Sequence, residues 1–280
     1  MYITDKIHLL KVDFEIAISP GKRIPRFVNV IIILGEKITL IDSGVKGSET
    51  QISNYLKEFN RDLSEIETII LSHSHPDHIG AASKIKKLTN CRILAHELEK
   101  SWIEDIEYQN KQRPVPGFFT LVDEPVTVDA FLNDGQRIAL QEDLSLIIKH
   151  SPGHSKGSIN IEFVEDELFF TADSIPLKND IPNYDNYPDL IRSLEAVRNN
   201  TKYKTLLTSW TYAFTDKQMV NELINEGEIY INQIDEAVRL FYRSANPGDL
   251  SACQSTVDHL GLPQFMVNPI VDRAFRSHLS

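Results

Sequence analysis

Hydrophobic positions along the chain fall into short β-branched runs separated by segments with helical spacing. Phe27 to Leu34 and Ile38 to Ile41 are apolar runs joined by Gly35-Glu36-Lys37, which predicts a hairpin of buried strands. From Ser48 to Phe59, Ile52, Tyr55, Leu56 and Phe59 recur on one helix face. A strand at Thr68 to Leu71, a helix at Ile79 to Leu88 and a strand at Arg92 to Ala95 follow. Such alternation predicts α/β layering.

From Glu97 to about Asn133 the periodicity weakens, Pro114, Pro116 and Pro125 punctuate it, and Trp102, Phe118 and Phe119 stand among charges. The stretch reads equally as an inserted helix and loop covering a cleft or as a long connection. Strand patterns return at Arg137 to Leu140, Ser145 to Lys149, Ser158 to Phe163, Glu167 to Phe170 and, after a helix at Leu190 to Arg198, Lys204 to Leu207. Beyond Thr215 the pattern turns helical. Lys217 to Ala245 puts Ile231, Ile234, Ala237, Val238 and Phe241 on one face, and Asp249 and Asn268-Pro269 suit the starts of two further helices. The expected organisation is a domain over residues 1–215, with 97–133 inserted, and a helical appendage over 216–280.

With 280 residues and a 41% hydrophobic share, the chain can bury a core of one large or two small domains. Its net charge of -11 opposes phosphate backbones and anionic membrane surfaces, so nucleic acid is not an expected partner. No apolar run approaches the roughly eighteen residues of a membrane-spanning helix. Met1 to Lys6 shows no secretory pattern, and a cytoplasmic location is the default expectation. Cys91 and Cys253 lack CxxC spacing and read as ordinary buried thiols.

The chemistry concentrates in His73-Ser74-His75-Pro76-Asp77-His78, directly after the strand ending at Leu71. Three imidazoles and a carboxylate in one turn would be costly in a core and unconverged on a surface, so the cluster reads as a metal site. Distant residues of matching type also follow strands. His154 lies in Ser151-Pro152-Gly153-His154-Ser155-Lys156-Gly157, Asp173 in Thr171-Ala172-Asp173-Ser174, and Asp42 ends the second apolar run. Loops at one edge of layered sheets can bring such positions together.

In this order, these residues resemble the metallo-β-lactamase-fold superfamily of metallohydrolases over residues 25 to 210. The resemblance implies a four-layer αββα sandwich in which His73, His75 and His154 hold one metal. Asp77, His78 and a bridging Asp173 would hold a second, and Asp42 would support the ligands from behind. The implied cofactor is one or two divalent ions, zinc first, with manganese or iron as alternatives. The implied activity is hydrolysis of a small-molecule ester, thioester, lactone or phosphoester by a metal-bound hydroxide, with Asp77 orienting or accepting a proton. Two other classes stay open: a mononuclear iron dioxygenase of sulfur substrates, and a ligand-binding or regulatory member weakened in catalysis. A homo-oligomer is compatible with either.

One departure stands out. Relatives with two metals carry a further His after the last core strand, whereas this chain reads Thr208-Ser209-Trp210-Thr211, and indole cannot ligate. Ser209 is a weak substitute, and His259 or His278 from the appendage are candidates to reach the gap. Pro176 stands where quorum-signal lactonases usually carry Tyr. Arg239, Arg243, Arg273 and Arg276 offer charge without a matching thioesterase motif. His96 and His150 read as structural, Lys156 as solvated, and Trp102, Phe118, Phe119 and Tyr184 as pocket lining or packing.

Overall fold

Two β-sheets face each other, with helices on both outer sides, in a computed structural model that describes residues 1–19, 21–141, 143–243, 246 and 248–279. The first sheet runs in order through β1 (Ile7–Ser19), β2 (Lys22–Leu34), β3 (Ile38–Ile41), β4 (Ile66–Ile70), β5 (Arg92–His96) and β6 (Ala130–Leu132). β1, β2 and β3 are antiparallel, and β3 to β6 are parallel. The second sheet contains β7 (Arg137–Gln141), β8 (Leu144–His150), β9 (Ile159–Phe163), β10 (Leu168–Phe170) and β11 (Thr205–Leu207), with only the β10–β11 pair parallel.

Period-2 alternation explains the layers. Ile31 and Ile33 of β2 pack into the space between the sheets with Ile41, Ile70, Ile148, Ile161, Phe163 and Phe170. Val28, Val30 and Ile32 point the other way and meet Ile52, Leu56 and Ile85 of the covering helices. Because both faces are buried, the run from Phe27 to Leu34 lacks polar alternation except at Asn29. On the far side, Phe169 and Leu206 pack against Leu194, Val197 and Ile224. Each such aliphatic or aromatic side chain contributes about 1.5–3 kcal/mol by leaving water.

The helix Lys217–Phe241 bridges to the last helices. Ile231, Ile234 and Val238 pack with Val257, Val271 and Phe275, and with Tyr184 and Leu190 from the sandwich side. Asn268 caps the helix Pro269–Arg276 through Ile270 and Val271 N–H, with Pro269 at its first position. Asp249 accepts from Ser251 at the start of the helix Ser251–His259. No helix among the described residues is long and apolar enough to cross a membrane.

Several expected elements differ. β1 and the start of β2 form a long hairpin absent from the expectation, although Val12, Phe14 and Ile16 alternate with Asp13 and Glu15. Ile79 to Leu88 is two helices, Pro76–Ile79 and Ala82–Thr89, broken around Gly80. A Cβ on Gly80 would lie 2.2 Å from the Leu121 carbonyl oxygen, so only glycine permits that approach. Within 97–133, residues 130–132 form β6, paired with β5. The long C-terminal helix ends at Phe241, and its expected end, Ala245, lies outside the described residues, as does Ser280.

Candidate metal centre

The local chain geometry aims the hexapeptide inward. His73 and His75 are two residues apart in non-helical backbone, Pro76 then starts a short helix, and His78 returns one turn later. His154 follows β8 through Gly153, whose φ of 126° and contact with the helix Tyr187–Asn199 exclude a side chain. A Cβ there would stand 2.3 Å from Leu190 N. Gly153 O also accepts from Asp185 N (2.8 Å) and Asn186 N (3.0 Å), which fixes the loop. Asp173 follows β10, and Asp42 ends β3 with a φ of 63°, a conformation Asp tolerates better than most residues.

These positions converge. One ligand atom each from His73, His75 and His154 lies within 4.8 Å of the others, and the same holds for His73, His78 and Asp173. His75 Nδ1 and His154 Nε2 stand 2.7 Å apart. Asp173 bridges the two groups, at 3.3 Å from His154 Nε2 and 3.5 Å from His78 Nε2. Asp77 sits at the rim, 3.7 Å from His78 Nε2, and lines the adjoining cavity.

The hydrogen bonds behind the ligands assign two tautomers. Asp42 accepts from Ser72 N (2.7 Å), Ser72 Oγ (2.8 Å) and His78 Nδ1 (2.8 Å). Ser72 Oγ spends its proton on Asp42, so at 3.0 Å it accepts from His73 Nδ1. His73 and His78 therefore both direct Nε2 to the centre. The Nε2 atoms of His73, His75 and His78 and Oδ1 of Asp173 are buried without a partner. His73, His78 and Asp173 converge, and His75 turns Nδ1 toward His154 Nε2 beside them. This many buried ligand atoms are far more costly than a core tolerates unless a cation satisfies them, so the set fits a divalent metal.

Electrostatics agree with that fit. Burial, with the neighbouring positive groups, pushes His73 and His75 well below the ordinary imidazole range, and burial takes His154 down to about 4. All three are neutral and able to ligate at neutral pH. Burial also acts against a charged His78, but Asp173, Asp42 and Asp77 outweigh it and hold His78 well above its usual value, so a metal bound there would displace a proton from Nε2. Burial raises the Asp77 carboxyl, with Asp173 adding to the rise.

Three residues that the sequence reading missed hold the loops together. Glu99, 2% exposed, accepts from Ser74 N (2.9 Å), the Ser74 hydroxyl, Ser155 Oγ (2.7 Å) and Gly157 N (2.5 Å), joining the His75 loop to the His154 loop. Gln109 Nε2 donates to Ser74 O at 2.6 Å. Arg113 is buried in the wall of the cavity. All three come from 97–133, where nothing local in the sequence marks which polar residues are buried.

The gap near Trp210 is not filled by a distant histidine. His278 donates Nδ1–H to Asp235 (3.1 Å) and accepts from Tyr184 OH (2.7 Å), so both nitrogens are engaged, and His259 is exposed against Phe241. Trp210 lies 6.3 Å from the His78 ring and under the Arg26 guanidinium at 4.6 Å, while Ser209 Oγ is buried without a partner. Asn29 pins this loop, donating from Nδ2 to Thr208 O and Thr211 O and from its backbone to Ser209 O.

A cavity of about 180 Å³ opens beside the centre, lined by Asp77, His154 and Asp173 and walled by Phe14, Ile175, Tyr184 and Trp210. Trp102, Phe118 and Phe119 are not among its lining residues. Phe118 is core, Phe119 is exposed, and Trp102 meets Arg273. His96 and His150 stack at 4.3 Å away from the cavity lining, and Lys156 is exposed. Cys91 and Cys253 are buried free thiols.

A two-sheet sandwich with this cluster at its strand ends defines a class. The chain belongs to the metallo-beta-lactamase superfamily, which residues 23–216 match. It is 26% identical over 144 residues to the probable metallo-hydrolase YqgX of Bacillus subtilis, covering 51% of this chain and 63% of that protein. It is also 26% identical over 162 residues to the hydroxyacylglutathione hydrolase GloC of Haemophilus influenzae, covering 56% and 71%. In fold it is similar to the metallo-beta-lactamase family protein TTHA1429 of Thermus thermophilus, with a TM-score of 0.71, 19% identity and coverage of 98% and 93%. The chain spans half to about two thirds of the length of the first curated relatives it matches.

Proposed function

We propose that this chain hydrolyses a small-molecule carboxylic ester, thioester or lactone with the help of two divalent ions, zinc first. The observation that carries the reading is the convergence of His73, His78 and Asp173, whose Nε2 and Oδ1 atoms are buried without a partner, beside the His75–His154 pair. His73, His75 and His154 would hold one ion, and Asp77, His78 and Asp173 the other. When bound, such ions lower the pKa of a coordinated water toward about 7 and polarise the scissile oxygen.

The chain's own groups do the rest. Asp42 and Ser72 keep His78 and His73 in the ligating tautomers. Asp77, at the rim, is placed to orient the attacking water or accept its proton. The apolar wall excludes bulk water and favours an acyl chain over a phosphodiester backbone, which the net charge of -11 also opposes. GloC, named as a hydroxyacylglutathione hydrolase, lends support to the thioester branch. A mononuclear iron oxidase or a merely binding protein has less need of His78, which Asp42 holds in place at 2.8 Å.

The test is elemental analysis of protein purified without chelator, followed by a panel of esters, thioesters and lactones with and without restored zinc or manganese. Turnover should vanish on chelation, return with metal, and be abolished in His75→Ala. Oxygen uptake on a persulfide with bound iron, or ligand-induced stabilisation without turnover, would displace the hydrolase reading.

A further inference from the structure

We propose that Arg113 recognises an anion in the substrate pocket and that the substrate carries a carboxylate remote from its scissile bond. This rests on the hydrolase reading above and adds the substrate's charge to it. Arg113 follows the helix Ile106–Gln112, is 3% exposed, and lines the cavity together with Asp77, His154 and Asp173. Its Nη2 donates to Asn183 Oδ1, itself on the cavity wall. A guanidinium has five N–H donors, so most of its capacity remains for a ligand.

The neighbouring cations are already paired. Arg26 makes a two-pronged pair with Asp180, both contacts at 2.8 Å, and Arg273 does the same with Asp185 at 2.8 and 3.0 Å. Among the described residues no carboxylate oxygen lies within 4.0 Å of Arg113. Asp185, Asp77 and Asp173 act on it only at longer range. The last two are the acids assigned to the metal, which would neutralise them. A buried, unpaired guanidinium is costly, and an incoming anion offsets that cost by charge-assisted hydrogen bonds in a planar fork.

Charge count selects the anion. One uncompensated positive charge matches a monoanionic carboxylate, whereas a phosphate dianion would need a second free cation, and Arg26 is neutralised. The cavity that Arg113 shares with the metal-binding residues also has apolar lining, Phe14, Ile16, Ile175 and Leu177 among it, which suits a short hydrocarbon chain linking the two ends of the substrate.

The test compares two substrates that differ only at the far end: the monophenyl ester of adipate, and the same ester with its free carboxylate replaced by carboxamide. Metal-loaded wild type should prefer the carboxylate by about ten- to a hundredfold in kcat/KM, chiefly through KM. The preference should fall toward unity in Arg113→Met and survive in part in Arg113→Lys. A purely structural Arg113 would change melting temperature and leave this ratio intact. Equal use of both esters by wild type, or the same ratio in Arg113→Met, overturns the proposal. Should Arg113→Met not fold, the ratio in Arg113→Lys decides: a severalfold drop supports it and no change overturns it. Should neither ester be turned over, the hydrolase reading fails separately, and calorimetry with adipate monoamide decides the carboxylate claim. Binding to wild type that is lost in Arg113→Lys or Arg113→Met supports it, and no binding, or equal binding, overturns it.

Discussion

The Asp42 carboxylate receives the Nδ1–H of His78 at 2.8 Å with both side chains fully buried, so the orientation of one proposed metal ligand depends on a residue thirty-six positions away. Asp42→Asn keeps the shape and tolerates the positive φ, but it weakens the acceptor that fixes the His78 tautomer. The expected outcome is about ten- to a hundredfold weaker affinity for the second ion, with the first ion retained more strongly. Competition with a chromophoric chelator reads both constants, and equal loss at both sites would contradict the assignment.

Removing metal should destabilise the fold, because His73, His75 and His78 then keep unpartnered buried nitrogens. Zinc restored at a hundred times its dissociation constant should add about 2.7 kcal/mol per site. Calorimetric melting before and after chelation measures this, and a melting temperature indifferent to metal would sink the metal reading.

Glu99 joins the two ligand loops, so its loss should act on both stability and metal binding. Glu99→Ala strands the N–H groups of Ser74 and Gly157 and two hydroxyls, for a cost of about 3 kcal/mol or more. Denaturant unfolding and zinc titration should fall together. A stability loss with unchanged zinc affinity would show that the loops hold their geometry without it.

At Gly153, any side chain meets the backbone of Leu190 and the φ of 126° adds strain. Gly153→Ala should displace His154 and cost at least about 2 kcal/mol. Zinc content and denaturation midpoint read the two consequences, and a variant with both unchanged would refute the packing argument.

Trp210→His offers an imidazole where the loop after β11 now presents indole, 6.3 Å from the His78 ring. The second ion should bind more tightly, as elemental analysis at limiting metal would show. Unchanged metal content would mean that this loop is aligned wrongly with the dinuclear relatives.

His278 gives a pH dependence independent of the metal ligands. Burial lowers it to about 4 against an ordinary 6.5, with Asp235 only partly opposing the shift. The unfolded chain therefore binds more protons between these values. The contribution is fully present above pH 6.5, and it is lost as pH falls toward 4, up to about 3 kcal/mol. Stability of His278→Gln should be flatter across that window in urea titrations, and identical slopes would discount the group.

Much of this was readable from local pattern. His73, His75, Asp77 and His78 share one turn, so their chemistry is a matter of spacing. His154 and Asp173 announced themselves by following strands, and runs such as Phe27–Leu34 are continuous because both faces of β2 are covered. The alternation of Val12, Phe14 and Ile16 with Asp13 and Glu15 in β1 is equally legible.

What the sequence by itself determined is the set of candidate ligands and the alternation of strands and helices, since both are written in neighbouring residues. Only the tertiary structure decided that Glu99, Gln109 and Arg113 are buried at the site, that His278 is consumed by Tyr184 and Asp235, and that Asn29 anchors the Trp210 loop. Burial and pairing of a polar side chain depend on which distant segment closes over it, and no local periodicity carries that information.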